Sequence, residues 1–316
     1  MASHYSSRAP TCLLFGQRTK IQNKNSDNSR WGFEMSSWRH EGNTAVITGG
    51  ASGLGLEAAR RYINAGMNVV IADRDDESLA EASKDLASRT SEDRVLAINC
   101  DVTKLANVEA LRDAALERFG AVHCLMNNAG RGFPVGAPWE HREALEDTLA
   151  VNLWGVINGC QAFIPAMLES GATGAIINTG SKQGITRPPG NYAYNLSKVG
   201  VLAYTESVGH AFSQIEGCKL TAHLLVPGFV YTPMVSRFIP EKPPFAWTAA
   251  ETISFMLPRL DAGDFYIICP DNESPRELDE LRVQWSADDI IKNRPPLSRW
   301  HADYKDEYEQ FVSARG

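Results

Sequence analysis

Tyr194 and Lys198 are the two residues of this sequence whose types and spacing most clearly indicate chemistry. They are four positions apart in a segment predicted to be helical from about Ala193 to Ile215, so both side chains lie on one helix face. A free tyrosine has a pKa near 10, and a neighbouring ammonium lowers the pKa by favouring the phenolate. Such a phenol can exchange a proton at neutral pH. Taken alone, the Tyr-x-x-x-Lys pattern also fits an amphipathic surface pair.

Ser181 and Asn152 add polar groups to this pair. Ser181 follows a predicted strand at Ala175–Asn178, and its hydroxyl can stabilise negative charge that develops on a substrate oxygen. The alternative for Ser181 is a turn or a helix cap. Asn152 lies between two predicted helical stretches, where its amide can distort the helix and hold a water near Lys198 for a proton relay. The alternative for Asn152 is likewise structural.

A glycine-rich segment, Thr48–Gly55, follows the first predicted strand and precedes a helix. Free backbone N–H groups and the helix dipole at such a turn favour a pyrophosphate. Gly49 permits a tight turn, Gly53 lets the backbone approach the phosphates, and Gly55 lets helix and strand pack closely. The predicted contacts to a dinucleotide in this turn are Gly49, Ser52, Gly53, Leu54 and Gly55. An ordinary turn is the alternative, although the position between strand and helix argues against it.

Three further strand ends carry candidate contacts to the same dinucleotide. Asp73 ends the second strand, where its carboxylate can accept hydrogen bonds from both ribose hydroxyls and repel a 2′-phosphate. This favours NAD over NADP, although the adjacent Arg74 can engage a 2′-phosphate. The remaining candidates are Asp101 and Val102 at the adenine edge, and Asn128, Ala129 and Gly130 beside the nucleoside. Each of these two groups can instead serve as simple turn chemistry.

Short apolar runs that alternate with helical patterns must position these residues. The predicted strands are Thr44–Thr48, Asn68–Ala72, Val95–Asn99, Cys124–Asn127, Ala175–Asn178, Leu220–Val226 and Phe265–Cys269. Continuous apolar runs indicate strands buried on both faces, as in a parallel sheet between helices. The predicted fold is therefore α/β, a Rossmann-like doubly wound parallel sheet of about seven strands with helices on both faces. Ligands in such sheets bind at the carboxyl ends of the strands.

The order and intervals of these motifs resemble the short-chain dehydrogenase/reductase family, in its compact single-domain form, over about Thr44–Met234. The resemblance implies hydride transfer between NAD(H), with NADP as a possibility, and a secondary alcohol or ketone. It implies a catalytic tetrad of Asn152, Ser181, Tyr194 and Lys198. Tyr194 would exchange the proton, while Lys198 would bind the nicotinamide ribose and lower the tyrosine pKa. Cofactor contacts are also implied for Tyr194, Lys198, Pro227, Gly228, Val230 and Thr232, the last at the nicotinamide carboxamide.

Two residues near the tetrad receive separate interpretations. Tyr192 precedes Tyr194 by two positions but has Leu196, not a lysine, four residues further on. We expect Tyr192 to line the substrate pocket or to pack, and not to act as the acid. Lys182 follows Ser181, where the family often has a small residue, and either places a charge at the pocket rim or is solvated.

The predicted organisation has three parts. Residues 1–40 are expected to be a disordered leader, residues 41–270 the catalytic domain with a substrate lid at 231–247, and residues 271–316 a C-terminal helical extension. The lid is apolar, which favours a hydrophobic substrate. Apolar residues predicted to line the pocket or the core are Phe133, Pro134, Trp139, Ile185, Phe229, Met234, Phe238, Ile239, Phe245 and Trp247. The extension departs from the family pattern and favours a homodimer over a homotetramer.

Composition limits the remaining possibilities. The formal net charge of −7 argues against nucleic-acid binding, and no apolar run is long enough to suggest a transmembrane segment. The six cysteines form no CxxC pair, so a metal site or disulfide framework is not expected, and Cys100, Cys124 and Cys269 are expected to be buried. We expect a cytoplasmic protein, with translation starting at Met1 or Met35. The basic, Ser-rich leader leaves a mitochondrial transit peptide open.

Two other functions stay open at this point. One is an NADPH-dependent carbonyl reductase. The other is a dinucleotide-sensing binding protein with little turnover, although such a protein has no evident need for the complete Asn-Ser-Tyr-Lys set.

Overall fold

The computed structural model describes residues 38–132 and 136–315, all of which fall in one compact unit. Its strands are β1 (Thr44–Thr48), β2 (Asn68–Asp73), β3 (Val95–Asn99), β4 (Cys124–Asn127), β5 (Gly174–Thr179), β6 (Leu220–Val226), β7 (Val230–Tyr231), β8 (Trp247–Thr248) and β9 (Tyr266–Ile268). Its α-helices are α1 (Gly53–Asn64), α2 (Asp76–Ala87), α3 (Leu105–Phe119), α4 (Arg142–Leu149), α5 (Gly155–Ser170), α6 (Lys182–Thr186), α7 (Tyr192–Ser213), α8 (Pro233–Ser236), α9 (Ala249–Asp261), α10 (Arg276–Ile291) and α11 (Lys305–Ser313).

Seven strands form one parallel sheet in the order β3-β2-β1-β4-β5-β6-β9. The predicted doubly wound α/β fold and its strand number are confirmed. Successive strands are added to one side of β1 up to β3, and from β4 onward they are added to its other side. The loops after these two strands therefore meet at the switch point, where ligands bind in such sheets.

The strands are buried because their apolar runs face helices on both sides. All five residues of β1 are buried, as are all six of β5. Residues of α1, α2 and α9 pack on one face of the sheet, and residues of α3, α5 and α7 pack on the other. Two apolar layers thus fix the sheet, and its carboxyl edge carries the candidate site.

The helical run from α4 to α5 contains a five-residue π-turn at Ala150–Trp154. We predicted a local distortion around Asn152, and the π-turn is that distortion. By length and hydropathy the run Arg142–Ser170 is also sufficient to cross a membrane. Half of its apolar window is buried within the protein, as in the core helix of a globular domain, so the run is weak evidence for a membrane span.

The C-terminal extension forms two helices, α10 and α11, around Trp285. The Trp285 ring is 1% exposed and packs edge-on against Tyr308 and Phe311, with centroids 5.2 and 5.1 Å away. Its indole N–H donates to the Ser298 hydroxyl at 2.8 Å, and the Arg294 guanidinium lies 3.7 Å from its ring centre. The extension therefore has a small core of its own, and α10 packs against α6.

Several predicted strand boundaries differ from the structure by one residue. β2 continues to Asp73 and β5 covers Gly174–Thr179, whereas β9 is limited to Tyr266–Ile268. The short parallel pair β7–β8, which joins the two ends of the predicted lid, was not anticipated.

Cysteine burial matches the prediction for the three residues named. Cys100, Cys124 and Cys269 are at most 2% exposed, and burial raises the pKa of each thiol, to about 11 for Cys100 and about 12 for the other two. Within the described ranges, no group of three or more His, Cys, Asp or Glu side chains is arranged to hold a metal ion. Residues 1–37 of the expected leader, with its transit-peptide alternative and Met35, lie outside the described residues, as do Phe133 and Pro134. The last leader residues, 38–40, are described, and Trp38 is 1% exposed in the core.

Candidate active site

Helix α7 presents Tyr194 and Lys198 one turn apart, close to the end of β5. Asn191 caps the helix by accepting a hydrogen bond from the Tyr194 N–H at 3.1 Å, which fixes the first turn. The buried Lys198 ammonium donates to the Thr179 carbonyl at 2.7 Å and lies 5.6 Å from the Tyr194 ring centre. The predicted pair therefore shares one face of the helix, and β5 anchors its lysine.

Ser181 occupies the N-cap of α6, directly after β5. Its hydroxyl oxygen accepts a hydrogen bond from the Gln183 N–H at 3.1 Å. The Ser181 side chain also acts on the Tyr194 phenol, because a side-chain hydrogen bond from Ser181 contributes a lowering of the Tyr194 pKa. The cap is thus present in the structure, and contact between Ser181 and a substrate oxygen stays a prediction.

Burial dominates the protonation of this pair. Desolvation raises the pKa of Tyr194 above its ordinary value, and the hydrogen bond from Ser181 offsets only part of that rise. The net direction is opposite to the lowering that we expected from Lys198, because burial of the phenol is the largest contribution to its pKa. Burial also lowers the pKa of Lys198 to about 8, since its charged form loses solvation.

Asn152 connects the π-turn to two other parts of the site. Its side-chain oxygen accepts from the Arg131 N–H at 2.7 Å, and its amide donates to the Arg131 carbonyl at 2.9 Å. The amide also donates to the Ser197 hydroxyl at 3.1 Å, and that hydroxyl donates to the Tyr194 carbonyl at 2.7 Å. Asn152 thus joins the loop after β4 to the helix that carries Tyr194 and Lys198.

The glycine-rich turn lies between β1 and α1 with little room for side chains. Gly49 has φ +63°, and a Cβ on Gly55 would lie only 2.2 Å from the Gly49 carbonyl oxygen. Ser52 at the N-cap makes no side-chain capping hydrogen bond, and the first turn of α1 has no acidic residue. Leu54 packs against the core, so only its backbone is available to a ligand. The N-terminus of α1 therefore keeps its positive field for an anion.

Asp73 lies at the rim of this turn. One carboxylate oxygen accepts from the Ala51 N–H at 3.3 Å, and the other accepts from the Arg74 N–H at 2.8 Å. These hydrogen bonds place a fixed carboxylate next to the candidate pyrophosphate turn. The position agrees with the predicted role toward a ribose.

Asp101 and Val102 have polar groups that are largely used inside the protein. Asp101 accepts from the Thr103 N–H at 3.1 Å and pairs with Lys104 at 3.3 Å. The Val102 carbonyl accepts from Asn158 at 2.8 Å, and its side chain is 7% exposed. The turn-chemistry alternative accounts for these contacts, and a role at an adenine edge stays a prediction.

The loop after β4 is tied to the loop after β1 by Thr48 and Asn128. The Thr48 hydroxyl oxygen accepts from the backbone N–H groups of Asn128 at 3.0 Å and Ala129 at 3.2 Å. The Asn128 amide donates to the carbonyls of Thr48 and Gly49, both at 3.2 Å. Asn128 therefore shapes the turn with its side chain. Sequence reasoning missed Thr48, although a threonine at the end of a strand before a glycine turn was the available signal.

Small residues in the same loop make space beside Tyr194. A Cβ on Gly130 would lie 3.5 Å from the Asn152 side-chain oxygen, and one on Gly132 would lie 3.6 Å from the Tyr194 ring. Met234 of α8 is a neighbour of both glycines, 3.9 Å from a Cβ on Gly130 and 3.7 Å from one on Gly132. The loop after β4 therefore lies between the glycine-rich turn and the phenol.

The segment after β6 carries four residues that we expected to bind the cofactor, and three of them contact other parts of the protein. The Pro227 carbonyl accepts from the Lys182 N–H at 3.0 Å, and a Cβ on Gly228 would lie 2.5 Å from the Asp271 carboxylate. Val230 is buried in β7. Thr232, at the start of α8, is the member of this group that approaches the glycine-rich turn, with its methyl carbon 3.3 Å from a Cβ placed on Gly53.

The apolar residues of the lid region divide into packed and exposed sets. Phe229 packs edge-on against Phe245 with ring centres 5.3 Å apart, and Trp247 packs against Phe255 at 5.8 Å. Ile185 also packs against the core. The exposed set is Met234, Phe238 and Ile239 on and just after α8, together with Trp139, which is 85% exposed.

The structure agrees with the expectation for Tyr192 but not with either expectation for Lys182. The Tyr192 hydroxyl donates to the Glu140 carbonyl at 3.1 Å, which agrees with a packing role. Lys182 is neither at a solvated surface nor at a pocket rim. Its ammonium is 2.6 Å from the Asp279 carboxylate and 3.1 Å from the Asp271 carboxylate. Sequence reasoning missed both partners because they come from the atypical C-terminal extension.

Comparison with known proteins gives a consistent result. A family profile described as short chain dehydrogenase matches residues 43–243. The chain is 31% identical over 263 residues to a 1-deoxy-11-beta-hydroxypentalenate dehydrogenase of Streptomyces exfoliatus, covering 82% of this chain and 94% of the relative.

Solved structures agree with the sequence relatives. A short chain dehydrogenase/reductase from Burkholderia phymatum in complex with NAD superposes with a TM-score of 0.73 at 30% identity, covering 84% of this chain and 98% of that one. An actinorhodin polyketide ketoreductase variant with NADPH superposes with a TM-score of 0.64 at 30% identity, covering 72% of this chain and 94% of that one.

Proposed function

The chain belongs to the short-chain dehydrogenase/reductase family, and from this premise we propose that it oxidises or reduces a hydrophobic secondary alcohol/ketone pair with Tyr194 as the general acid and base. As a member of this family it is an NAD(P)-dependent oxidoreductase that acts on alcohol and carbonyl groups. The roles of individual residues, the cofactor preference and the substrate class are the parts we propose.

The convergence of Ser181, Tyr194 and Lys198 carries the proposal. A phenol whose pKa is partly lowered by the side chain of Ser181, with an ammonium 5.6 Å from its ring centre, can exchange a proton with a substrate oxygen. In the oxidation direction the alcohol proton passes to the Tyr194 phenolate as the hydride leaves the carbinol carbon. In reduction the same oxygen returns the proton. Ser181 stabilises the charge that develops on the substrate oxygen.

The chain fits a dinucleotide on three observations. The turn at Gly49–Gly55 excludes side chains, the first turn of α1 carries no acid, and Asp73 is fixed at the rim. A nicotinamide bound there would supply the hydride acceptor, and its positive charge would favour the phenolate form of Tyr194. Thr232 and Lys198 would bind the nicotinamide end of the dinucleotide.

We favour NAD over NADP because Asp73 holds a carboxylate where a 2′-phosphate would lie. The alternative is an NADPH-dependent carbonyl reductase. Two observations support this alternative: Arg74 is exposed beside Asp73, and the related polyketide ketoreductase structure contains NADPH.

The hydrophobic substrate is inferred from the exposed residues Met234, Phe238 and Ile239. These side chains lie on and just after α8, and Met234 approaches the loop beside Tyr194. The name of the Streptomyces relative specifies a hydroxylated pentalenate as its substrate, which agrees with an apolar pocket. We further propose a cytoplasmic homodimer, with a homotetramer as the alternative that light scattering distinguishes.

A deuterium-transfer assay tests the proposed function. Secondary alcohols of increasing hydrophobicity, deuterated at the carbinol carbon, are incubated with NAD or NADP, and the reduced cofactor is analysed by mass spectrometry. We expect deuterium in the cofactor, with NAD preferred. Tight cofactor binding without transfer from any alcohol, and without reduction of the matching ketones, would instead support the dinucleotide-sensing alternative.

A further inference from the structure

A buried cluster of four charged side chains joins the C-terminal extension to the residue after Ser181. The Lys182 ammonium contacts the carboxylates of Asp279 at 2.6 Å and Asp271 at 3.1 Å, and it donates to the Ser274 carbonyl at 3.2 Å. Arg282 donates to the second Asp279 oxygen at 3.1 Å and to the Ser274 hydroxyl at 2.7 Å. Two cations and two anions thus balance.

Burial restricts the movement of the four charged side chains in this cluster. The exposed fraction of the side chains is 0% for Asp279, 10% for Asp271, 11% for Lys182 and 19% for Arg282. A buried charge is tolerated only when a partner compensates it, so none of the four can move far from the others. The cluster therefore fixes the distance between α10 and the start of α6.

Helix α6 is a single short turn, and it touches both catalytic neighbours. Ser181 is its N-cap, and a Cβ on Gly184 would lie 2.8 Å from the Lys198 carbonyl oxygen. The Lys182 N–H donates to the Pro227 carbonyl at 3.0 Å, so the backbone of residue 182 is tied to the end of β6 while its side chain is tied to the extension. A shift of Lys182 would move Ser181 directly.

The extension is a firm support for this contact. Trp285, 1% exposed on the same helix as Asp279 and Arg282, is packed by Tyr308 and Phe311 of α11. A helix anchored in this way can hold Asp279 in place, as a frayed terminus could not.

We propose that Lys182 is a positioning residue for Ser181, and that the C-terminal extension, through Asp271, Asp279 and Arg282, holds the catalytic serine in its productive place. The proposal rests on the proposed function of Ser181. It assigns the atypical extension a part in catalysis through a side chain that does not touch the substrate.

Two variants with opposite changes of charge test the proposal. Lys182→Met removes a cation, and Asp279→Asn removes an anion with almost no change of shape. Lys292→Met is the control at the C-terminal end of α10, where Lys292 pairs with Asp288. The measurements are kcat, the KM for cofactor, the pH profile of kcat/KM for alcohol oxidation, and hydrogen exchange of the peptide 181–187.

If Lys182 positions Ser181, both test variants lower kcat by about tenfold or more with an unchanged KM for cofactor. In both variants the rise of kcat/KM with pH also moves to higher pH. The reason is that the Ser181 hydrogen bond, which favours the Tyr194 phenolate, is weakened. The peptide 181–187 exchanges faster in both, and Lys292→Met matches the wild-type protein. Asp279→Asn keeps the test decisive if Lys182→Met fails to fold.

Opposite shifts of the pH limb in the two variants would overturn the proposal, since they would show a through-space effect of charge on Tyr194 and Lys198. Unchanged hydrogen exchange at 181–187 would overturn it as well. Absence of turnover in the wild-type protein would contradict the proposed function instead, and the exchange data would still decide whether the cluster holds Ser181.

Discussion

The Lys198 ammonium lies 5.6 Å from the centre of the Tyr194 ring and donates its hydrogen bond to the Thr179 carbonyl at 2.7 Å. The lysine is thus held by the end of β5 and does not donate to the phenol itself. Because Lys198 is buried, its pKa falls from an ordinary value of 10.5 to about 8. The charged form of Lys198 therefore loses hydration energy when the protein folds.

The lowered pKa of Lys198 predicts a specific dependence of stability on pH. Between about pH 8 and 10.5 the unfolded chain binds a proton at Lys198 that the folded protein does not, so the free energy of unfolding rises with pH across this window. The titration of Lys198 raises the free energy of unfolding by on the order of 3 kcal/mol across this window. The variant Lys198→Met lacks this rise. Urea unfolding of both proteins without cofactor, from pH 7 to 10.5, measures the difference, and parallel stability curves would contradict the burial of a titrating lysine.

Asp73 predicts the cofactor preference. We expect Asp73→Ser to shift the ratio of kcat/KM for NAD over NADP by about tenfold or more toward NADP, because it removes a carboxylate that repels the 2′-phosphate. Glu77→Ser is the matched control, since it removes an exposed carboxylate from the first turn of the neighbouring helix α2. Initial rates with both cofactors give the ratios. Equal ratios in wild type and Asp73→Ser would show that the carboxylate does not face the ribose.

Gly55 tests the close packing of the glycine-rich turn. A Cβ there would lie 2.2 Å from a backbone oxygen, so we expect Gly55→Ala to displace the turn and weaken cofactor binding by at least about tenfold. Gly217→Ala is the control, because Gly217 has φ +70° in open space and adds only backbone strain of about 1 kcal/mol. Equilibrium titration of the cofactor, with thermal unfolding in parallel, separates binding from stability. Wild-type affinity in Gly55→Ala would place the dinucleotide elsewhere.

Met234 tests the apolar substrate pocket. Met234→Ser should raise the KM for a hydrophobic alcohol by roughly tenfold, the effect of losing about 1.5 kcal/mol of apolar burial, while the KM for a short polar alcohol changes little. Ile290→Ser is the control, since Ile290 is 76% exposed on the far end of α10. The same loss for both alcohols would assign Met234 a role in the fold and not in substrate recognition.

The sequence was sufficient for the sheet and for grouping the candidate catalytic side chains. Continuous apolar runs predicted the seven strands, helix spacing put Tyr194 and Lys198 on one face, and the resemblance to the short-chain dehydrogenase/reductase family added Ser181. These inferences succeed because the period of the apolar pattern and the spacing on a helix are local properties. Asn152 was also placed at a helix distortion, since an amide between two helical stretches is a local signal.

Contacts between residues that are far apart along the chain could not be predicted from local sequence patterns. The partners of Lys182 are about 90 residues away along the chain, and no local pattern indicates that Asp279 faces it. The direction of the Tyr194 pKa also depends on burial, which only the packed structure provides. Contacts between distant segments explain two further differences as well. Gly228 lies next to Asp271, and the Pro227 carbonyl accepts a hydrogen bond from the Lys182 N–H.

Replacement of the Tyr194 hydroxyl is the most direct test of the account. We predict that Tyr194→Phe lowers kcat for alcohol oxidation by a factor of about 100 to 10,000, the usual range for a lost general acid or base, with the dissociation constant of the cofactor unchanged. Tyr192→Phe, which removes a hydroxyl two residues away that bonds Glu140, should retain wild-type kcat. Wild-type turnover in Tyr194→Phe, measured by steady-state kinetics beside the Tyr192→Phe control, would contradict the assignment of the phenol as the proton-transferring group.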